Sequence, residues 1–412
     1  MKGILVILDG VGDLPNEQLK GQTPLEAAVT PNLDFFATRG EMGYMYPVRP
    51  NFVPESDEAI VSIFSNDLIS STRGQLEARG TDIKLTRGDL AFRVNFATVD
   101  GSMKKIIDRR AGRTLTTEEA EGLASAINQI KMPFGFVFEP TVQHRASLVF
   151  RGGFSEMISG NDFTYQKGKI KISHIISKCL ALDEEDNTQY TVNVVNDFLD
   201  KVANVLKNHP INQERIRKGL LPANYLLVRG AGIEPPKLKQ YKKWVGLGYM
   251  PLEKGFIRTS GMKMYGFDYP LLKGVDSYEN LYSGLKQSCK YAIKMIKKFS
   301  KTHDYAYIHI KETDLPGHDN KPFEKKEMIE YIDKTLFKFI RKFAPPRKIK
   351  LVVTADHSTP CKLKTHSADP VPVLLYNDSL LKEKHFSEKE ARVGSLRKIV
   401  GKELLKKVGF GK

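Results

Sequence analysis

At 412 residues, the chain is longer than one hydrophobic core usually supports, so we expect two domains. Its hydrophobic share of 41% is ordinary for a globular protein, and no apolar run approaches the roughly 20 residues that cross a bilayer. The first residues enter a predicted strand at once and show no signal-peptide cleavage region. These features exclude a membrane protein and predict a cytoplasmic one.

The net charge of +16 has two interpretations. It fits a nucleic-acid binding surface, and it also fits a lysine-rich surface that attracts small anions. Because the lysines are scattered, without a tight basic tract or interleaved aromatic residues, we favour a small anionic substrate and expect no nucleic-acid partner. The three cysteines, Cys179, Cys289 and Cys361, are far apart, which argues against a disulfide framework and against a thiolate metal site.

The N-terminal part of the chain offers two functional side chains. Asp9 directly follows a predicted apolar strand at 4–8, either as a turn residue of an Asp-Gly pair or as a ligand. Ser56 stands just before a short helical pattern at 58–64. It is either the N-cap of that helix or a nucleophile at a helix N-terminus, where free N–H groups favour an arriving phosphate.

The stretch 72–221 differs from the rest and is predicted to be an inserted α+β domain. It contains strand-like segments at 90–96 and 144–150 and a long helix at 190–207. A planar guanidinium binds carboxylate or phosphate through two hydrogen bonds, so the arginines here suit an anionic substrate; ordinary surface ion pairs are the alternative. Residues 1–71 and 222–412 are assigned to a core domain, and 72–221 to a lid.

The core is expected to resume with a strand at 224–232, whose Gly-Ala-Gly turn lacks the spacing of a dinucleotide site. Helices at 278–299 and 325–343 then alternate with buried strands at 305–310 and 349–354. This alternation predicts an α/β fold with a mostly parallel sheet flanked by helices.

Five metal-ligand side chains lie close together near the C-terminus, in a chain with only nine histidines. They are Asp314, His318, Asp356, His357 and His366. Asp314 and Asp356 come just after predicted strands, as Asp9 does, and the loops at that edge of an open α/β sheet converge on one crevice. Alone, Asp314 and His318, in a predicted loop with Pro and Gly, would be a turn residue and a solvated histidine, and the adjacent Asp356 and His357 are more telling; together the five predict a binuclear metal centre.

Segments along the whole chain, in order, resemble one family. They are Leu8–Asp13, Thr23–Ala28, Pro54–Asp57, Asp108–Arg113, Arg229–Gly232, Asp314–His318, Thr354–His357 and His366–Pro372. They look like the archaeal-type 2,3-bisphosphoglycerate-independent phosphoglycerate mutases of the alkaline-phosphatase-like metalloenzyme superfamily. The resemblance implies an alkaline-phosphatase-like core with an inserted lid. It also implies an isomerase that interconverts 3-phosphoglycerate and 2-phosphoglycerate in glycolysis and gluconeogenesis through a phosphoserine.

Carried over residue by residue, the resemblance makes Ser56 the nucleophile and divides the ligands between two divalent ions. One ion takes Asp314, His318 and His366. The other takes Asp9, Ser56, Asp356 and His357. Manganese is the family's usual ion, with Mg²⁺, Co²⁺ or Zn²⁺ as alternatives.

The resemblance also implies a set of side chains that hold the substrate. The expected substrate-binding residues are Arg93, Arg109, Arg113, Arg145, Arg229 and Lys254, the last on a strand near the cleft. Asp108 and His144 are expected to move protons at the glycerate hydroxyls. His309 and Lys311 either face the site or only close their strand.

Two departures from the family pattern stand close to Ser56. Many family members have glycine at the position of Glu55, and Gly-Tyr-Asp-Pro at the position of Ser65–Leu68. Glu55 is interpreted as a solvated charge at the helix start or as a further contact to metal.

Two other functions compete with the mutase. A metal-dependent phosphatase could use the same core, because a fold does not fix a function, but the arginine-rich insert and the match along the whole chain favour the mutase. A nucleic-acid-binding protein with a structural metal has no use for a serine between two metal sites. The sequence leaves the oligomeric state open.

Overall fold

The computed structural model describes residues 1–68, 73–162, 174–379 and 385–411, together with the backbone of two short strands at 165–166 and 169–170. The expected lid boundary at 71/72 lies outside these residues. Within the described part of the chain, the helices are all too short or too polar to cross a membrane.

In chain order, the strands are β1 (Gly3–Leu8), β2 (Gly40–Tyr46), β3 (Leu90–Val99), β4 (Ile106–Asp108), β5 (Phe136–Pro140), β6 (Arg145–Phe150), β7 (Tyr165–Gln166), β8 (Lys169–Ile170), β9 (Tyr225–Gly232), β10 (Trp244–Gly248), β11 (Lys263–Gly266), β12 (Tyr305–Ile310), β13 (Lys350–Thr354), β14 (Val371–Tyr376) and β15 (Arg397–Val400). The helices are α1 (Pro24–Ala27), α2 (Pro31–Ala37), α3 (Ser56–Ile63), α4 (Arg73–Arg79), α5 (Thr117–Asn128), α6 (Asp186–Lys207), α7 (Pro210–Arg217), α8 (Pro251–Thr259), α9 (Ser277–Phe299), α10 (Asp314–His318), α11 (Pro322–Ile332), α12 (Lys338–Phe343), α13 (Glu388–Val393) and α14 (Leu404–Val408). A π-helical turn, Asp333–Phe337, joins α11 to α12.

The larger sheet has the strand order β11-β10-β12-β1-β13-β14-β2-β15. β1 pairs in parallel with both β12 and β13, whereas β14 is antiparallel to both of its neighbours. Every residue of β1 is buried, as a central parallel strand with two covered faces requires. The predicted α/β fold with a mostly parallel sheet is confirmed. The three strands that precede Asp9, Asp314 and Asp356 are neighbours, and their carboxyl ends meet at one edge.

A second, antiparallel sheet contains β4, β3, β6 and β5 in that order, with β9 also paired to β3. Alternate residues of β3 face opposite sides of it: Phe92 and Phe96 pack into a hydrophobic cluster with α5 and α6, and Arg93 lies on the other face. Cross-strand partners share a face, and the register pairs Arg93 with Arg229 and Asn95 with Arg145. Three arginines from three strands therefore lie on the face away from the helices, which we call the arginine face.

Three local details differ from expectation. The strand expected to resume the core after residue 224 is β9, which pairs with β3 in the second sheet. Its apolar pattern shows that it is a strand but not which sheet it joins. Ser56 is the first residue of α3, and Glu55 is the N-cap. The Pro- and Gly-containing segment Asp314–His318, expected to be a loop, forms the short helix α10.

A buried ion pair ties together two loops beneath the edge where the three carboxylates lie. Lys325 of α11 donates to Asp13 Oδ2 at 2.8 Å and to the carbonyl oxygen of Thr359 at 3.0 Å. Both partners of the pair are fully buried, and Asp13 also accepts the backbone N–H of Cys361. An unpaired charge at this depth would be strongly destabilising, so the pair fixes the loop after β1 against the loop after β13.

Glu388 of α13 is a half-buried carboxyl beside the same loop, and it gives a testable pH dependence. It accepts hydrogen bonds from the Thr23 hydroxyl at 2.7 Å and from the Asp13 N–H at 3.2 Å, and burial raises its pKa from 4.5 to about 7. The folded state thus binds this proton more tightly than the unfolded state, so stability is lost as pH rises from 4.5 through 7.

We expect Glu388→Gln to raise the free energy of unfolding by about 2 kcal/mol at pH 8 and to leave it unchanged at pH 5. Glutamine keeps an acceptor for the Asp13 N–H and removes the charge that the site disfavours. Thermal unfolding of both proteins at the two pH values measures this. An equal gain at both values would show that the carboxyl does not titrate in this range.

Candidate functional site

The edge where β1, β12 and β13 end opens into a cavity of about 510 Å³. Asp9, Ser56 and Asp314 line it on the side of the larger sheet, and Arg145 and Arg229 line it from the arginine face. One wall is therefore rich in metal-ligand side chains and the other in guanidinium groups. This division suits an anionic ligand held between metal ions and arginines.

Asp314, His318 and His366 come together as one ligand set. Asp314 Oδ2 lies 3.4 Å from His318 Nε2, because α10 places residues four apart on one side. Asp314 Oδ1 lies 3.9 Å from His366 Nε2. Ligand atoms of the three residues lie within 4.8 Å of one another, which suits a divalent ion.

Asp9, Ser56, Asp356 and His357 meet around a second point. His357 Nε2 lies 3.3 Å from Asp9 Oδ1, 3.4 Å from Asp356 Oδ2 and 3.4 Å from Ser56 Oγ. Asp314 also falls within 4.8 Å of ligand atoms from Asp9 and His357, so it stands between the two sets.

Two of the histidines have their Nδ1 atoms turned away from the ligand sets. His318 Nδ1 lies 3.0 Å from the carbonyl oxygen of Lys364, and His366 Nδ1 lies 2.9 Å from that of Pro54. A carbonyl oxygen only accepts, so each Nδ1 carries the proton and each Nε2 presents a lone pair inward. Metal-binding histidines are held in this way.

The third histidine has the same tautomer. His357 Nδ1 lies 3.0 Å from Thr359 Oγ1, whose own proton is donated to Asp314 Oδ1 at 2.7 Å. The threonine oxygen must therefore accept from His357, which leaves Nε2 unprotonated. Burial agrees with this state, since it lowers the pKa of His357 to about 4.

The buried carboxylates also fit a cation. Asp356 Oδ1 accepts the N–H groups of Gly10 and His357, both at 3.1 Å, which leaves Oδ2 to face inward. Among the described residues, no well-directed hydrogen bond reaches Asp356 Oδ2 or either oxygen of Asp9. Burial alone would raise the pKa of Asp356, but His357 and His309 lower it below its usual value, so the group stays anionic. Among the described residues, the Lys311 ammonium and His309 Nε2 are the donors nearest to these oxygens, and divalent ions would neutralise the negative charge that remains.

Lys311, at the end of β12, faces the site. Its ammonium group forms an ion pair with Asp9 and lies 3.1 Å from Glu253 Oε1 and 3.3 Å from Ser56 Oγ. Burial lowers its pKa. The position of Lys311 just before Asp314 indicates that it could face the site, whereas no pattern in the sequence points to Glu253 on α8.

His309 of β12 also faces the site. Its Nε2 lies 3.3 Å from an oxygen of both Asp9 and Asp356, and its Nδ1 lies 3.1 Å from the Tyr307 hydroxyl. Burial would lower the pKa of His309, but Asp356 raises it. His309 therefore holds Asp9 and Asp356, the two carboxylates of the second ligand set, in place.

The arginines of the cavity differ in how they are held. Arg113 is paired with Asp319, and Arg109 Nη2 lies 2.6 Å from Asp162 Oδ1. Arg93 Nε lies 3.3 Å from Glu77 Oε1. Within the described ranges, two further arginines of the cavity wall form no ion pair, namely Arg110 and Arg145. These two guanidinium groups are the ones left to meet an anionic ligand.

His144 and Asp108 both line the cavity, as expected. His144 is buried, and this burial with the nearby charge of Arg145 holds its pKa well below the usual value, so the imidazole is neutral. Asp108 Oδ1 accepts the backbone N–H groups of Arg110 and Gly112 at 2.7 and 2.9 Å, so one of its oxygens is used to shape a turn.

Two expectations about this region are wrong. Lys254 lies on α8 rather than on a strand, and its ammonium is directed to the exposed Asp268, 3.7 Å away, instead of lining the cavity. Successive helix residues point about 100° apart, so Glu253 lines the cavity in its place. Glu55 is neither solvated nor in contact with the ligand sets, because it forms ion pairs with Arg73 and Arg229.

The chain is similar to known phosphoglycerate mutases over nearly its whole length. A family model described as 2,3-bisphosphoglycerate-independent phosphoglycerate mutase matches residues 37–212. The protein of that name from Pyrococcus horikoshii is 37% identical over 98% of this chain and 95% of its own length. One from Archaeoglobus fulgidus is 37% identical over 98% of this chain and 96% of its own length.

Solved structures agree with these relatives. A cofactor-independent phosphoglycerate mutase from Thermoplasma acidophilum aligns with a TM-score of 0.57 and 29% identity, covering 100% of both chains. A protein from Pyrococcus horikoshii aligns with a TM-score of 0.75 and 29% identity, covering 100% of this chain and 98% of its own.

Proposed function

This chain belongs to the 2,3-bisphosphoglycerate-independent phosphoglycerate mutases, and on that basis we propose that Ser56 carries the phosphoryl group while glycerate turns over in the cavity. The enzyme is an isomerase of glycolysis that interconverts 3-phosphoglycerate and 2-phosphoglycerate. Divalent metal ions take part in this chemistry. We further propose a cytoplasmic location and a lid formed by 72–221 together with β9.

One observation carries the proposal. Ser56 Oγ lies 3.4 Å from His357 Nε2 and 3.3 Å from Lys311 Nζ, between the second ligand set and a buried ammonium group. A serine hydroxyl is a weak nucleophile until positive charge stabilises its anion. The opposite wall supplies arginines for an anionic substrate. A phosphatase needs the activated serine but has no need of a wall of arginines. The arginine face therefore favours the mutase over the phosphatase.

We propose two ions, held by the two sets that the sequence predicts. Asp314, His318 and His366 would hold one, and the other would be held by Asp9, Ser56, Asp356 and His357. Manganese is the proposed ion. Bound there, divalent ions would supply positive charge that stabilises the anion of Ser56 and the substrate phosphate.

The side chains of the site support each step in turn. Lys311 stabilises the serine anion as Ser56 Oγ forms its bond to phosphorus and the bond between phosphorus and the glycerate oxygen breaks. The proton lost by Ser56 passes to the departing glycerate oxygen by way of His144, whose neutral imidazole accepts a proton at one ring nitrogen while it donates one from the other; its Nδ1 has no hydrogen-bond partner among the described residues, and Asp108 is the second group placed to move this proton. After glycerate has turned, the same groups take the proton from its other hydroxyl, and the phosphoryl group moves to that oxygen. During these steps the lid excludes water, because water would hydrolyse the phosphoserine and release free phosphate.

Arg145 is expected to hold the glycerate carboxylate, since its guanidinium has no ion pair among the described residues. We expect Arg145→Gln to lower kcat/KM by roughly 10- to 100-fold, mostly through KM, because a charge-assisted hydrogen bond contributes about 1.5–3 kcal/mol. Steady-state kinetics with 3-phosphoglycerate measures this. The melting temperature should not fall, because burial and the charge of Arg73 already lower the pKa of Arg145.

Arg151→Gln is the matched control. Arg151 directly follows β6, pairs with Asp89 and does not line the cavity. Its loss should lower the melting temperature and leave KM unchanged. If both variants changed KM equally, the assignment of Arg145 to the carboxylate would be wrong.

The proposed function is tested by giving the pure protein 3-phosphoglycerate and Mn²⁺ without bisphosphoglycerate, and by measuring 2-phosphoglycerate and free phosphate separately. We expect 2-phosphoglycerate as the main product, its loss on treatment with a chelator, and its recovery when Mn²⁺ is restored. Phosphate release without 2-phosphoglycerate would contradict the mutase and support the phosphatase.

A further inference from the structure

Glu55 joins the nucleophile helix to the arginine face. It is the N-cap of α3, directly before Ser56, and its side chain is only 12% exposed. Its Oε1 lies 2.5 Å from Arg229 Nη1, and its Oε2 lies 3.1 Å from Arg73 Nη1. Arg229 belongs to β9 and Arg73 to α4. One carboxylate therefore connects three elements of the cavity wall.

Charge balance alone does not explain this arrangement. Arg73 has two other acidic partners, with Nη1 2.8 Å from Asp57 Oδ1 and Nε 2.8 Å from Glu77 Oε1. Arg229 Nε lies 3.9 Å from Asp162 Oδ2. Both guanidinium groups would keep a nearby carboxylate without Glu55. What Glu55 adds is a fixed position beside the nucleophile.

The position of Glu55 matters because, in the proposed reaction, the phosphoryl group and the glycerate are for a time separate molecules in one cavity. While the phosphoryl group is on Ser56, free glycerate must stay in the cavity until it accepts that group again. Arg229 lines the cavity from the arginine face, and besides Glu55 it has Asp162 nearby, with Arg229 Nε 3.9 Å from Asp162 Oδ2. A shift toward Asp162 would open space beside the phosphoserine.

We propose that Glu55 is a positioning residue that holds Arg229 and Arg73 next to Ser56 and so keeps glycerate bound between the two phosphoryl transfers. The proposal rests on the proposed function. When the two arginines are not held, water reaches the phosphoserine, the bond between Ser56 Oγ and phosphorus breaks, and free phosphate leaves while the serine hydroxyl is restored. Glu55 thereby favours isomerisation over hydrolysis at the same site.

Glu55→Gln tests this, because glutamine keeps the length and an acceptor oxygen but removes the charge. With 3-phosphoglycerate and Mn²⁺, we expect the ratio of free phosphate to 2-phosphoglycerate to rise roughly ten-fold, as loss of about 1.4 kcal/mol of binding would give. KM should also rise, with a smaller fall in kcat. Glu58→Gln is the matched control: Glu58 lies on the same turn of α3 and accepts the backbone N–H of Glu55 at 3.0 Å. It should keep the wild-type ratio.

The outcomes separate the alternatives. A wild-type ratio and KM in Glu55→Gln would overturn the proposal, and so would a lower KM, which would show that Glu55 competes with substrate for the arginines. If Glu55→Gln does not fold, Arg229→Lys, which keeps the charge but loses the two-pronged geometry, should raise the same ratio; a wild-type ratio there would also overturn the proposal. Failure of the wild-type protein to form 2-phosphoglycerate would instead contradict the proposed function, whatever the variants do.

Discussion

Ser56→Ala is expected to lower kcat for mutase turnover by at least about 10⁴-fold, because removing a nucleophile leaves only the binding and electrostatic parts of the site. The fold should be unaffected. Ser56 is the first residue of α3 and not its N-cap, so alanine removes no capping interaction. Formation of 2-phosphoglycerate gives kcat, and thermal unfolding checks the fold.

Ser62→Ala is the control for this substitution. Ser62 is a buried serine of the same helix and does not line the cavity. We expect it to keep wild-type kcat. Substantial mutase activity in Ser56→Ala would remove Ser56 from its role, and a parallel loss in both variants would show damage to the helix instead.

Asp314→Asn should have the second largest effect. Asp314 contributes to the set with His318 and His366 and also lies within reach of Asp9 and His357. Asparagine keeps the shape but loses the negative charge that a divalent ion needs. We expect kcat to fall by about a thousand-fold or more, equivalent to about 4 kcal/mol of transition-state stabilisation, with the loss of at least one bound ion.

Elemental analysis after dialysis against Mn²⁺ measures the bound ions directly. Asp319→Asn is the control, since Asp319 ends the same short helix but pairs with Arg113 and Tyr278 rather than with the ligand sets. It should keep the wild-type metal content. Unchanged metal content and kcat in Asp314→Asn would contradict the proposed assignment of this carboxylate.

The metal-ligand wall of the cavity could be predicted from the sequence because each ligand's place depends only on the strand directly before it. A carboxylate that follows a buried parallel strand must lie at the carboxyl edge of the sheet, whatever the rest of the chain does. Asp9, Asp314 and Asp356 obey this rule, and β1, β12 and β13 are neighbours. The rule also placed Lys311 at the edge, but it could not show whether its ammonium turns toward Ser56.

For the arginine wall, the sequence predicts which residue types are present but not which guanidinium groups are free to bind a ligand. Guanidinium groups near an anionic site are recognisable as residue types, whereas their availability depends on partners far away in the chain. Arg113 is occupied because Asp319 lies across the cavity, and Arg145 is available because no described carboxylate reaches it. The pairing of Glu55 with Arg229 joins residues 174 positions apart, which no local pattern reveals.

Two errors have the same physical origin. β9 has the apolar alternation of a strand, but its partner is chosen by register with β3 and not by its own residues. The similarity of its segment to a family strand predicts Lys254 near the cleft, but a helix turns neighbouring side chains apart and brings Glu253 to the cavity instead. The sequence predicts whether a segment is a helix or a strand better than it predicts which partner the segment packs against and which way its side chains point.

The phosphoserine itself gives the most direct test of the central claim. Wild-type enzyme is mixed with 3-phosphoglycerate and Mn²⁺, stopped in acid during turnover and digested, and its peptides are examined by mass spectrometry. The proposed mechanism predicts a phosphate on the peptide that contains Ser56, and none in Ser56→Ala treated in the same way. Phosphate found only on another residue during active turnover would contradict it.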